Sequence, residues 1–447
     1  QGPMSLTGYS ALNKLLGKEV YTSQDQLGGP QIMYPNGITH EVVENDKEGM
    51  QAVLEWINFT PKDFSSSCAE SKGAEDPSRE VEFTPTKTPY DPRHMLAGTT
   101  NTDGSFVSGF LDRDSFKEYM GGWGKSVVAG RGRLGGLNVG VIAVETRLVE
   151  QRIPADPGNP DSREALLPQA GQVWYPDSAY KTAQAIQDFN RGENLPLIVF
   201  ANWRGFSGGT RDMYGEILKF GAMIVDALRQ YKHPVFIYIP PNGELRGGAW
   251  VVIDPTINPG KMEMYADKDA RGGILEPPGI CEVKYRKPDQ ISTAHRLDPV
   301  LNMLDEELAA ASSNDEIERI QSEIASRENM LAPLYLQVAH EFADLHDRAG
   351  RMKAKDCIRD VLEWKTSRNY FYWRIKRRIL EDKFKDDLVA ASNGEMTLVD
   401  VATKLASVLP NNGNLADEEA VKWLEDNEST VNTAIKNVRL EKASSAV

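Results

Sequence analysis

Cysteine is scarce: the 447-residue chain holds three, Cys68, Cys281 and Cys357. They are too few and too scattered for a disulfide framework or a zinc site, so a reducing compartment is expected, taken as cytoplasmic. The six histidines show no ligand spacing, and no metal site is expected. Positive charge is in deficit, with 51 Lys and Arg against 65 Asp and Glu for a net charge of −14. That argues against a general nucleic-acid or membrane surface but leaves room for a local basic pocket. No apolar run approaches ~18 residues, so no membrane span is expected, and no signal-peptide pattern opens the chain. The chain enters patterned sequence at once from Gln1, which reads as a piece of something longer. Its 40% hydrophobic and 26% charged residues are those of an ordinary globular protein. The length suits roughly two to four domains.

What the sequence does contain is a glycine-marked unit over 195–254. Leu195 to Ala201 is an apolar strand that empties into Asn202, Trp203, Arg204, Gly205, Phe206, Ser207, Gly208 and Gly209. Val235 to Ile239 is a second, followed by Pro240 to Gly248. Between them Met213, Ile217, Phe220, Ile224, Val225 and Leu228 recur at helical spacing and form one face. Glycine pairs let backbone approach a ligand closely. Their N–H groups, near a helix start, suit a developing oxyanion such as a polarised thioester or ureido carbonyl. The plainer reading, that Gly208, Gly209, Gly247 and Gly248 only make tight turns, is the commoner one for an arbitrary pair. Arg204, at a strand end among glycines, can hold a carboxylate bidentately; a surface ion pair is an equal alternative on spacing alone.

Elsewhere, 11–16 reads as a short helix closed by Gly17, and Leu27 to Gly29 as a turn. Ile32 and Met33 read as the start of a strand, and 48–57 as a helix with Met50, Val53, Leu54 and Ile57 on one side. Residues 65–78 are polar and make the best linker. The pattern predicts a short helix over 115–120, strands at 126–129 and 139–144, a polar loop over 154–171 and a helix over 176–189. With the unit over 195–254 the order is strand, strand, helix, strand, helix, strand, strand, repeating roughly every 40 residues, which suits a superhelix of repeated units better than an open doubly wound sheet. Beyond Pro299 the chain is mostly helical. Asn314, Asp315 and Glu316 cap one helix, Pro333 opens another and 356–381 makes a third, packed on the core or on a second subunit.

Several motifs fail on inspection. Gly130, Gly132 and Gly135 spell G-x-G-x-x-G, but a strand follows where the dinucleotide fingerprint needs a helix. Gly124, Lys125 and Ser126 resemble the end of a phosphate loop, but Tyr119 stands where its first glycine belongs. His340 and Glu341 lack the second zincin histidine, since 344 is Asp. Over 369–378 aromatics interleave with Arg374, Lys376, Arg377 and Arg378. A helix with one packed and one solvated face is favoured over a nucleic-acid surface. Met262 and Met264 flank Glu263 in a strand and read as core. Ser207 is not read as a nucleophile elbow, and no Ser-His-Asp triad is assembled.

Two groups of residues resemble a known family. Leu6, Thr7 and Gly8, the run Asn13 to Val20, Leu27 to Gly29 and Gly37 to His40 resemble the end of the first half of a biotin-dependent carboxyltransferase. Residues 202–209, 244–252 and 262–267 resemble the second half as found in eukaryotic acetyl-CoA carboxylase. The likeness runs from Gln1 to about Glu381 and thins beyond. It implies an α/β fold of the crotonase-like (ClpP/crotonase) type, a ββα superhelix with a mainly helical C-terminal extension. The domains implied are the end of the N-terminal carboxyltransferase half (1–64), a linker (65–82), the C-terminal crotonase-like core (83–300) and a helical extension (301–447).

The resemblance also implies a head-to-tail homodimer, with the active site between the N half of one subunit and the C half of the other. The reaction implied moves a carboxyl group from carboxybiotin to acetyl-CoA, giving malonyl-CoA for fatty acid synthesis. Backbone N–H groups would hold the enolate and ureido oxygens, with no metal. Implied partners are acetyl-CoA and the biotin carboxyl carrier and biotin carboxylase domains. Biotin is expected on a separate carrier, because Met352, Lys353 and Ala354 are the nearest approach to an M-K-M attachment site and fail. By motif, Arg204 matches the arginine proposed to meet the transferred carboxyl. Gly247 and Gly248, with Trp250 and Val251, match the turn lining the biotin-side cavity, which Phe206 joins; Leu15 and Gly17 match its N-half wall. Gly208 and Gly209 are added as amide donors. Most of the N half, with most CoA contacts, would precede Gln1. The alternatives are a crotonase-type acyl-CoA hydratase or isomerase, for which Glu244 is the near carboxylate, and an inactive dimerisation fragment.

Overall fold

The computed structural model describes residues 3–61 and 74–445. Most of the polar linker stretch, 65–73 with Cys68, lies outside the described residues. The N-terminal segment forms helix α1 (Tyr9–Leu16), closed by Gly17 in the left-handed region (φ 65°). After short helical turns comes α2 (Asp46–Ile57), capped by the Asn45 side chain accepting from the Glu48 amide.

The core begins with β1 (Lys117–Tyr119), β2 (Val127–Leu134) and β3 (Leu137–Val144), paired antiparallel in sequence order. From β3 onward the chain repeats one unit: a strand of a large sheet, a short strand of a second layer, then a helix. β3 leads to β4 (Val173–Trp174) and α3 (Pro176–Asn190); β5 (Leu197–Phe200) to β6 (Gly205–Phe206) and α4 (Ile217–Arg229). β7 (Val235–Ile239) leads to β8 (Glu244–Arg246) and α5 (Gly247–Val252), and β9 (Met262–Asp267) to β10 (Arg271–Gly273). Helices α6 (Pro277–Lys284), α7 (Lys287–Leu297), α8 (Pro299–Ala310) and α9 (Asn314–Asp347) follow, and then β11 (Asp360–Leu362) and α10 (Trp364–Ala391). The large sheet has seven strands in the order β11-β9-β7-β5-β3-β2-β1, parallel from β3 to β11. In the second layer, β4 pairs with β6 and β8 with β10, and a parallel bridge between Trp203 and Leu245 joins the two pairs. The result is a ββα superhelix.

Register explains the continuous apolar runs. Gly140, Leu197, Val235 and Met262 stand in one row across four parallel strands. Val199, Ile237 and Met264 share a core with Ile186 and Phe189 of α3 and Ile224 and Leu228 of α4. Their sequence neighbours Ile198, Phe236 and Tyr265 share another with Trp364, Phe371 and Ile375 of α10. Strands covered on both faces need no polar alternation.

Several expectations are corrected. Ile32 and Met33 close a helical turn, Pro30–Met33, which Pro30 opens at its first position. Residues 115–120 hold edge strand β1, because pairing with β2 outweighs weak local helix preference. The 154–171 loop contains Ala165–Gln169, paired with Val149–Ile153. The expected single helix over 213–228 breaks at Glu216, which sits at φ 68° between Thr210–Tyr214 and α4. Pro333 lies inside α9, whose N-cap is Ser313. Packing on both sides of the proline holds that helix: Ile320 and Ile324 against Leu301 and Leu304, and Ala339 and Ala343 against Cys281. The stretch over 356–381 supplies β11 before α10 starts, so part of the expected extension completes the core. The described end of the expected linker is tied down, Val81 donating to the Lys365 carbonyl (3.0 Å). Among the described residues no helix is long and apolar enough to cross a membrane.

The expected solvated arginine face of α10 is also corrected. Arg374 and Arg378 are buried and converge on Glu263 of β9. Arg374 donates to both carboxylate oxygens (2.9 and 2.5 Å), Arg378 adds a further bond, and the Tyr265 hydroxyl donates at 2.6 Å. Burial opposes ionisation of Glu263, yet the arginines pull its carboxyl down to about 2. The stability this contributes is present above the ordinary glutamate value and is lost as pH falls through about 2. Glu263→Gln removes the charge that two buried guanidiniums share, leaving Arg374 with Asp417 and Arg378 with the Gly260 carbonyl, and should cost ~3–5 kcal/mol at pH 7 by chemical denaturation. The gap to wild type should narrow on acidification below about pH 4; a gap unchanged down to pH 2 would contradict the assignment. Phe371, fully buried, meets the Phe110, Phe236, Tyr238 and Tyr265 rings at 5.3–6.0 Å. Phe371→Ala should lose ~3–5 kcal/mol of unfolding free energy, and a loss below about 1 kcal/mol would show that α10 does not stabilise the sheet face it covers.

Candidate active site

The second layer sorts side chains by alternation. Trp203 is fully buried, its ring stacked on Trp174 at 3.9 Å, and Trp174 stacks in turn on Phe206 at 4.9 Å. The backbone of this segment is fixed: the Arg204 amide donates to the Gln172 carbonyl (2.8 Å) and the Arg246 amide to the Trp203 carbonyl (2.9 Å). With Trp203 turned inward, Arg204 turns outward, its side chain 51% exposed.

Arg204 lines a cavity of about 410 Å³ beyond the C-terminal ends of β5 and β7, with Gln172, Asn202, Glu244, Arg246, Arg271 and Glu276 among its walls. Asn202 braces three segments, its side-chain oxygen accepting from Gln172 (2.6 Å) and from the Glu244 amide (2.9 Å). Arg204 stands at ion-pair distance from two carboxylates, 3.8 Å from Glu244 and 3.5 Å from Glu276, and its guanidinium makes no hydrogen bond among the described residues. Its planar fork is therefore held near the cavity mouth without being consumed.

The other expected site residues fall elsewhere. Gly208, Gly209, Gly247 and Gly248 do not line the Arg204 cavity. The two glycine turns instead meet at Phe206, whose ring would lie 3.6 Å from a Cβ on Gly248. Open space surrounds Gly208 and Gly209, and their amides donate to no acceptor among the described residues. Gly247, at φ 49°, and Gly248 are more than a turn: they begin α5, whose first amides have no partner within the helix. Trp250 faces another way, donating to Asp254 (2.8 Å) and packing over Gly272, and it lines a separate cavity with Met264 and Cys357. Val251 is exposed. Leu15 is 83% exposed and Gly17 lies in open space on α1; neither reaches the Arg204 cavity within one chain.

Residues 205–209 do spell G-x-S-x-G, which corrects the dismissal of Ser207 on pattern. The Ser207 hydroxyl donates to the Asp212 carboxylate, and no described histidine hydrogen-bonds it, so a base is missing. Glu244, the acid that the hydratase alternative required, is tied to Arg246 (3.1 Å) and Arg204. Sequence reasoning missed Glu276, Arg246 and Asp347. Glu244 and Arg246, two apart on a strand and so on one face, were the one available signal.

The model of the family described as "Carboxyl transferase domain" matches residues 1–379. The chain is 49% identical over 444 residues to acetyl-CoA carboxylase dmxL1 of Cryptosporiopsis sp. (strain 8999), covering 98% of this chain and 19% of that protein. It is 50% identical over 449 residues to acetyl-CoA carboxylase of Dictyostelium discoideum, covering 97% and 20%. It thus spans about a fifth of the length of these relatives. A crystal structure of transcarboxylase 12S, with methylmalonyl-coenzyme A and methylmalonic acid bound and described as a hexamer assembly, matches with a TM-score of 0.58 at 17% identity. That match covers 84% of this chain and 59% of the other. The fold is thereby crotonase-like, as the ββα repeat indicates. A family model that takes in all the parallel strands and most of α10 leaves one assignment, and the chain belongs to the carboxyl transferase domain family.

Proposed function

We propose that this chain is the C half, with the end of the N half, of the carboxyltransferase of a biotin-dependent acetyl-CoA carboxylase, moving a carboxyl group from carboxybiotin to acetyl-CoA to give malonyl-CoA for fatty acid synthesis. The observation that carries the reading is Arg204: a guanidinium at the mouth of a polar cavity, flanked by carboxylates yet free to take another bidentately. Gly208 and Gly209, in the same loop, offer unused amides to an enolate or ureido oxygen, and the N-terminal amides of α5 at Gly247 and Gly248 offer more.

Biotin, when bound, supplies the carboxyl group. It arrives on a separate carrier, a reading supported by the Met352–Lys353–Ala354 run, which lacks the second methionine of an M-K-M attachment site. The free amides suit its acceptor oxygens. Phe206 and Val251 wall the biotin side, together with Leu15 and Gly17 of the partner subunit, while Trp250, turned toward Gly272 and Asp254, backs the turn from behind. The biotin carboxylase and carrier domains are partners, and the enzyme is a cytoplasmic homodimer whose active site lies between subunits. Two exposed apolar stripes support such cover: Met50, Val53, Leu54 and Ile57 on α2, and Leu334, Val338, Phe342 and Leu345 on α9.

In the complete enzyme, Arg204→Ala should lower malonyl-CoA formation about a hundredfold. Arg204→Lys should not restore it, because an ammonium lacks the fork. Normal turnover in Arg204→Ala would remove the residue from the site.

A further inference from the structure

The groups behind Arg204 form an alternating chain of charge. Arg246 is 3% exposed, and its guanidinium donates to Asp347 (2.5 Å), Glu244 (3.1 Å) and the Leu275 carbonyl (3.3 Å). Asp347 is the last residue of α9, 101 positions from Arg246. Burial pushes the Asp347 carboxyl up, against the pull of Arg246. The approach is made possible at position 273, which stands opposite Arg246 in the β8–β10 register. A Cβ on Gly273 would lie 2.6 Å from the Asp347 carboxylate, so only glycine leaves room there. The same end of α9 grips β10 through Asp344, at 2.6 Å from Arg271.

Glu244 is thus divided in function. Its Oε2 is fixed by buried Arg246, and its Oε1 faces the Arg204 Nη2 at 3.8 Å. We infer that Glu244 is a positioning residue for Arg204, set in place by the buried Arg246–Asp347 pair, which makes the end of α9 part of the carboxyl-binding device. This rests on the reading of Arg204 as the group that receives the carboxyl.

Two opposite effects could follow from a carboxylate beside Arg204: it competes with the substrate's carboxylate, or it holds the side chain ready. A half-exposed ion pair costs an incoming carboxylate little to displace, whereas a carboxylate already fixed on buried Arg246 narrows the rotamers open to Arg204 without losing freedom of its own. Tethering therefore prevails. Glu276, itself 46% exposed and bonded to no buried cation, is the partner that gives way when substrate enters.

The test uses the full-length carboxylase in the reverse partial reaction, with malonyl-CoA as carboxyl donor and free biotin as acceptor. E244Q leaves Arg246 paired with Asp347, and D347N leaves it paired with Glu244, so each retains one buried partner. Both should raise the KM for malonyl-CoA on the order of tenfold while the KM for biotin stays at the wild-type value. A lower KM for malonyl-CoA, or a fall in kcat with both KM values unchanged, would overturn the positioning role. R204A separates the two levels of the argument. If it is impaired while E244Q and D347N both keep the wild-type KM, the positioning claim fails and the reading of Arg204 stands. If R204A itself is normal, that reading fails and the inference falls with it. Should D347N not fold, E244Q decides alone.

Discussion

The parallel bridge between Trp203 and Leu245 is the constraint on which the site depends. It joins two successive turns of the superhelix in the second layer. Because side chains alternate along extended backbone, burying Trp203 and Leu245 obliges Arg204, Glu244 and Arg246 to share the other side. The tryptophan stack beneath, Trp203 on Trp174 and Trp174 on Phe206, makes slippage by one residue costly: it would bury the Arg204 guanidinium and expose the indole. A packing decision in the apolar layer thereby fixes the polar chemistry above it.

Buried ion pairs tie the layers to one another. Arg131 meets Glu193 at 2.6 Å, Arg368 meets Asp112, Arg246 meets Asp347, and Glu263 gathers Arg374 and Arg378. Each joins elements far apart in sequence. The net contribution of such a pair is small, since desolvation offsets attraction, but removing one partner is expensive. Their effect is to allow one arrangement of α9 and α10 against the sheet and to penalise its neighbours.

How far this was legible from sequence varied with the kind of interaction. Residues 195–201 and 235–239 announce themselves, since a strand buried on both faces is an unbroken apolar run between turn signals. The helix over 176–189 shows in its spacing. Edge strands β1 and β11, three residues each, carry no pattern of their own and exist only by pairing. Pro333 misled because a proline normally ends a helix, whereas packing on both of its flanks carries α9 through. At the site, Arg204 was visible through its motif. The groups around it were not: Glu276 pairs with it and Asp347 pairs with Arg246 from distant elements, and nothing local in the sequence marks their convergence. Likewise, the glycine turns could be read as donors but not placed, and they gather around Phe206 rather than along the walls of the Arg204 cavity.

The central claim is that this register delivers a free guanidinium to a carboxyl group. A crystal structure of the complete enzyme with malonyl-CoA bound tests it most directly. The account predicts the malonyl carboxylate paired with both edges of the Arg204 fork at about 2.8 Å, with Glu244 still on Arg246 and Glu276 displaced. A carboxylate bound elsewhere, with Arg204 still lying between its two glutamates, would contradict it.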